Sequence, residues 1–170
     1  PELYRYKVGE GYIRTADPAL DDIYNTPPGM VAADFDNDGD QDLVLATTFN
    51  LVVLSNDGQG RFSLRTQQES FTIENGQSLS AADYDQDGDL DIFACGYLSP
   101  YQGQQVPLPY HDAKNGAANF LFSNQGGFEF EDVTQSVGLA ADNQRFTFSA
   151  SFWDFDEDGD QDILVVNDFG

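Results

Sequence analysis

The sequence predicts an all-β protein built from repeated four-stranded antiparallel sheets. Three observations lead there. A nine-residue acidic pattern occurs three times, each copy is flanked by short apolar runs of β type, and Gly-containing turns separate the runs that follow. No long stretch carries the 3.6-residue apolar period of an amphipathic helix.

Aligned on the acidic pattern, the three copies read Met30-Val-Ala-Ala-Asp-Phe-Asp-Asn-Asp-Gly-Asp-Gln-Asp-Leu-Val-Leu, Leu79-Ser-Ala-Ala-Asp-Tyr-Asp-Gln-Asp-Gly-Asp-Leu-Asp-Ile-Phe-Ala and Ala150-Ser-Phe-Trp-Asp-Phe-Asp-Glu-Asp-Gly-Asp-Gln-Asp-Ile-Leu-Val. Their spacings are 49 and 71 residues, the range of stacked supersecondary units. One unit then reads as strand, acidic loop, strand, strand, Gly hairpin, strand.

Residues 1–27 form the C-terminal half of such a unit, because Leu3-Tyr-Arg-Tyr-Lys-Val-Gly-Glu-Gly-Tyr-Ile reads as two strands about a Gly turn. Residues 28–76 form a complete unit with its acidic loop at 34–42. Its strands are expected at 30–33, 43–48, 51–56 and 61–67, the last two joined through Ser-Asn-Asp-Gly-Gln-Gly. Residues 77–140 form a second complete unit, with its loop at 83–91 and an equivalent hairpin in Phe120-Leu-Phe-Ser-Asn-Gln-Gly-Gly-Phe-Glu-Phe. An insertion at about 97–118 accounts for most of its 22 extra residues; it holds Tyr97, Pro100, Tyr101, Pro107, Pro109, Tyr110 and His111. It is expected to be an irregular loop packed by its own tyrosines, with a binding loop as the alternative. Residues 141–170, with the loop at 154–162, form the N-terminal half of a further unit. Together these make about three blade equivalents, a partial β-propeller, where a ring takes 4 to 8 blades.

Charge sharpens this picture. The 170 residues carry a formal charge of -23, yet 16 of the 30 acidic residues fall within the three nine-residue loops. An aromatic content of 14% argues against disorder, and the acid excess repels nucleic acid and anionic membrane surfaces. No apolar run approaches the ~20 residues that cross a bilayer, so direct membrane insertion is not expected. Cys95 is the only cysteine and His111 the only histidine, which excludes a disulfide framework and a zinc site of Cys/His type.

In the pattern DxDxDGDxD the odd positions carry carboxylates and the Gly at position 6 turns the backbone, so alternate side chains converge. Two carboxylates ~4 Å apart repel by ~4 kcal/mol at an effective dielectric of about 20, and a folded loop of this kind requires a cation. Many hard protein oxygens in a flexible array favour Ca²⁺ over Zn²⁺, copper or Mg²⁺. Ligands are expected from the side chains at positions 1, 3, 5 and 9 and the carbonyl at position 7. These are Asp34, Asp36, Asp38, Asp42 and the Asp40 carbonyl in the first loop. The second supplies Asp83, Asp85, Asp87, Asp91 and the Asp89 carbonyl; the third supplies Asp154, Asp156, Asp158, Asp162 and the Asp160 carbonyl. The side chains of Asp40, Asp89, Asp160 and Glu157 are expected to face solvent. An EF-hand shares the first half of the pattern but needs a Glu at position 12, where Leu45, Ala94 and Val165 stand.

The loops, together with Asn119-Phe-Leu-Phe-Ser-Asn-Gln-Gly-Gly-Phe-Glu-Phe-Glu-Asp-Val-Thr-Gln-Ser-Val-Gly-Leu and Phe152-Trp-Asp-Phe-Asp-Glu-Asp-Gly-Asp-Gln-Asp-Ile-Leu-Val-Val-Asn-Asp, resemble the FG-GAP/VCBS repeat family. The nearest likeness is to the branch of cartilage acidic protein and the ASPIC/UnbV-type bacterial proteins. The resemblance implies calcium-binding β-propeller blades, an extracellular or periplasmic setting, and roles in adhesion or recognition.

The expected function is therefore a non-catalytic propeller module, stabilised by about three Ca²⁺ ions, that binds a protein or glycan. Two alternatives stand beside it: part of a carbohydrate-active enzyme of the polysaccharide lyase kind, and an assembly module completed by a homo-oligomeric partner or by the remaining blades of a longer chain. No compact nucleophile and base pair is legible, since His111 lies in the insertion, Cys95 in an apolar strand, and most carboxylates in the metal loops.

Overall fold

The structure, a computed structural model, describes residues 1–23, 29–67, 73, 75–97 and 106–169. Among these residues the elements run β1 (Leu3–Lys7), β2 (Gly11–Thr15), α1 (Pro18–Asp21), β3 (Gly29–Ala33), β4 (Asp42–Ala46), β5 (Leu51–Asn56), β6 (Phe62–Gln67), β7 (Gly76–Ala82), β8 (Asp91–Gly96), β9 (Phe120–Asn124), β10 (Phe130–Asp132), β11 (Thr147–Trp153) and β12 (Asp162–Asn167). Every pairing is antiparallel, in four sheets: the pair β1-β2, the meander β3-β4-β5-β6, the meander β7-β8-β9-β10 and the pair β11-β12.

Period-two alternation gives the central strands two apolar faces, and the sheets stack on one another through them. Leu45, Val52 and Leu54 point one way, where they meet Leu20, Leu3 and Phe62 beneath the first hairpin. Val44, Ala46, Leu51 and Val53 point the other way and pack with Phe35, Ile92, Ala94, Phe122, Phe128 and Phe130 between the two complete sheets. Phe93, Cys95 and Leu121 leave the far side of the second sheet to meet Phe152, Ala150, Ile163 and Val165 of β11-β12. The first strands run together along one side of the stack, with β7 beside both β3 and β11. This is a partial β-propeller arrangement: antiparallel sheets face to face, each entered by its innermost strand.

The remaining differences from the expected elements have local causes. Strand β4 ends at Ala46 rather than 48 because the Thr47 hydroxyl closes a turn, donating to the Asn50 carbonyl at 2.9 Å and accepting from the Asn50 N–H. The helical turn α1 was not expected; Asp17 caps it by accepting from Ala19 N–H, Pro18 sits at its start, and the same carboxylate accepts from Phe62 N–H at 3.1 Å. Among its described residues the insertion sets its tyrosines mainly against the β11-β12 segment, beside one edge-on contact of Tyr110 with His111. Tyr110 meets Phe169 at 5.4 Å, and Tyr97 packs on Phe146 and Phe148 while its hydroxyl donates to Asp168 at 2.8 Å. It docks on the β11-β12 segment, with Ala113 N–H donating to the Phe169 carbonyl. Pro100 and Tyr101 lie outside the described residues.

Candidate metal centres

Each acidic loop joins the first two strands of a sheet, and its own side chains build its shape. The position 1 carboxylate spans the turn, accepting from the N–H groups of positions 5 and 6: Asp34 from Asp38 and Gly39, Asp83 from Asp87 and Gly88, Asp154 from Asp158 and Gly159, all at 2.9–3.1 Å. The position 5 carboxylate accepts from the N–H two residues on, Asp38 from Asp40, Asp87 from Asp89 and Asp158 from Asp160. Backbone dihedrals repeat as well. Position 4 is left-handed in all three loops, with φ of 60°, 62° and 62° at Asn37, Gln86 and Glu157, and the glycines at position 6 have φ of 93°, 97° and 98°. Glycine is the residue that adopts the latter without strain.

Position 9 carries more than the sequence suggested. Asp42 is fully buried and accepts from Phe35 N–H at 3.0 Å and from Asn56 N–H at 2.9 Å; Asp91, also fully buried, accepts from Tyr84 and Asn124 N–H, both at 2.9 Å. Asp162 accepts from Phe155 N–H at 2.9 Å. These carboxylates tie the start of the loop to the strand that leaves it and, in the complete sheets, to the third strand. The partner asparagines close the arrangement. Buried Asn124 donates to the carbonyls of Phe35 in the first loop and Leu90 in the second, and so joins two sheets. The Ser-Asn pair repeated before the hairpin glycines of the two complete units, Ser55-Asn56 and Ser123-Asn124, was the signal that could have revealed this role.

Carboxylates at positions 1, 3 and 9 converge: Asp34 with Asp36 and Asp42, Asp83 with Asp85 and Asp91, and Asp154 with Asp156 and Asp162, each set offering oxygens within 4.8 Å of one another. Asp38, Asp87 and Asp158 stand outside these triads, engaged in their own turns. At position 7, Asp160 is exposed as expected, as is Glu157. Asp40 and Asp89 depart from expectation: both are half-buried, Asp40 lying over the hairpin glycine Gly58 and Asp89 accepting from Asn37.

The electrostatics are those of uncompensated negative charge. Among the described residues, every ion pair lies outside the three loops. Burial, then the neighbouring Asp42 and Asp38 charges, raise the Asp36 carboxyl above its ordinary range; the Asp158 charge, then desolvation, raise Asp156. Burial pushes Asp91 up to about 6 against the help of its two backbone donors. One oxygen gives a direct indication of fit: Asp36 Oδ1 is buried with no hydrogen-bond partner, inside the first triad. A buried carboxylate oxygen without a donor is costly, and a cation there would satisfy it while cancelling the mutual repulsion. The residues present fit a metal ion bound through oxygen.

The lone thiol and the lone imidazole stand outside the loops. Cys95 is buried and its thiol is pushed up to about 11 by desolvation, which keeps it protonated. His111 is exposed and packs edge-on against Tyr110.

Residues 34–94 match the family model described as FG-GAP-like repeat. The matched span begins at the first loop and runs through the second into β8, and it supports the resemblance to the FG-GAP/VCBS repeats. No curated protein matches the chain.

Proposed function

We propose that the chain is a calcium-stabilised propeller repeat module that acts outside the cytoplasm by recognising a protein or a glycan, without catalysis. The threefold recurrence of one oxygen triad, in loops with the same dihedrals and the same internal hydrogen bonds, carries the metal part of this reading. An acidic turn kept only for solubility has no reason to repeat its geometry three times. Oxygen-only donors, more than Mg²⁺ with its retained waters commonly takes, favour Ca²⁺. Asp34, Asp36 and Asp42, with their equivalents, would hold the ion, and it would brace the turn between the first two strands of each sheet. The FG-GAP-like match supports a recognition or adhesion role and an extracellular or periplasmic setting.

Recognition needs a surface as well as a scaffold. Beside the insertion lies a cleft of about 470 Å³, bounded by Lys114, Phe120, Asp132, Gln135, Asn143 and Gln144. Its volume falls in the ordinary range for small-ligand sites, and its mixed donors and acceptors suit a polar, hydroxylated group. The test is a panel of glycans and matrix proteins presented to the calcium-loaded chain, with binding and product formation read together. Retention of a ligand without turnover is expected. Cleaved glycan would instead establish the carbohydrate-active alternative.

A further inference from the structure

We propose that Asn37 and Gln86 are positioning residues that link each metal loop to the next, so that the three loops bind calcium cooperatively. The proposal rests on the calcium reading above and adds to it a coupling between sites. Both residues occupy position 4 of their loops, between two expected metal ligands, and both are held left-handed, which aims the side chain out of its own loop. Asn37 Nδ2 donates to the Gly88 carbonyl at 3.2 Å and to Asp89 Oδ1 at 2.6 Å. One sheet further on, Gln86 Nε2 donates to the Gly159 carbonyl at 2.9 Å. The same atom of the same loop position is therefore reached twice across the sheet stack.

That atom is well placed to matter. Gly88 and Gly159 already give their N–H groups to Asp83 and Asp154 of their own loops, so the incoming amide clamps the other side of the glycine. The next residues, Asp89 and Asp160, carry the backbone carbonyls expected to face the ion. An ion in the first loop orders the segment that bears Asn37. Asn37 then holds the turn of the second loop in its binding shape, and Gln86 does the same for the third. Because binding free energies are linked, filling the later loop favours the earlier one by the same factor. A hydrogen bond of ordinary strength sets each link at about two- to tenfold in affinity, and the second bond of Asn37, to the Asp89 carboxylate, places the first link at the upper end. The relay ends at Glu157, because a carboxylate cannot donate to a carbonyl.

Glycine is the informative replacement, since it accepts the left-handed backbone and removes only the amide. The experiment is calorimetric titration of the metal-stripped chain with calcium chloride, comparing the parent with Asn37→Gly, Gln86→Gly, the double variant and Glu157→Gly, each checked for fold by circular dichroism. Expected is cooperative uptake by the parent. The double variant should take up the same number of ions with independent sites, its linked affinities weakened about two- to tenfold per link. Glu157→Gly, which removes a charge but no bond between loops, should weaken the third site alone and keep the cooperativity of the parent. An unchanged isotherm in the double variant overturns the proposal while leaving the calcium reading intact. A loss of cooperativity in Glu157→Gly as large as that in Gln86→Gly overturns it too, by assigning the change to local backbone relief. No uptake by the parent would instead remove the calcium reading on which the proposal stands.

Discussion

In about 10 mM calcium the chain is expected to melt about 8–30 °C higher than in chelator. The size follows from three sites. Extracellular calcium modules commonly bind at about 10⁻⁴ to 10⁻³ M. At about 10 to 100 times its dissociation constant each site adds about 1.4–2.7 kcal/mol, or about 4–8 kcal/mol for three. A chain of this length gains roughly 2–4 °C per kcal/mol. Magnesium at the same concentration should give a smaller shift, because it dehydrates reluctantly and prefers fewer protein oxygens. Differential scanning calorimetry reads both, and identical melting in calcium and in chelator would sink the structural role of the ion.

Replacing Asp91 by Ala should give the largest loss of any single loop substitution in the second sheet, and the loss should be greater with calcium than without. Without metal, the change strands the buried N–H groups of Tyr84 and Asn124, at roughly 1–3 kcal/mol each. Against that, it removes a carboxylate whose burial raises it from 3.8 to about 6. With metal bound that relief vanishes, and a ligand disappears as well. Urea denaturation in calcium and in chelator separates the two cases. Equal losses in both would make Asp91 a hydrogen-bonding anchor and nothing more. The raised carboxyl also fixes a direction with pH. In the metal-free chain the folded form holds this proton more tightly than the unfolded form, so the Asp91 contribution to stability is full below about pH 4 and is lost as pH rises through about 6. Calcium affinity at the same loop should run the opposite way, rising over that interval as the competing proton leaves.

Much of the sheet order was legible because its cause is local. The run Leu51–Asn56 coincides with β5 as expected, since a short continuous apolar run between Thr47-Thr48-Phe49-Asn50 and a Gly turn leaves few alternatives. The acidic triads were legible for the same reason, as alternate side chains on a tight turn converge. Features that depend on stacking were not. Nothing in Asn37 or Gln86 announces that the next sheet will place a glycine carbonyl within reach, because that contact spans 51 residues in one case and 73 in the other. Position 5 has a second task that its spacing does not reveal: Asp38 also closes its own turn by accepting from the Asp40 N–H. Of the 30 acidic residues behind the charge of -23, 16 stand in the three loops, and three bound dications would bring the charge to about -17.

The central claim is that each acidic loop is a calcium site. Its most direct test is the number of ions bound per chain, measured by equilibrium dialysis with radioactive calcium on the intact protein and on the variants Asp36→Ala, Asp85→Ala and Asp156→Ala. Three ions per chain, falling to two in each variant, is the expected result. Fewer than one ion on the folded parent chain, or a count unchanged by all three substitutions, would contradict it.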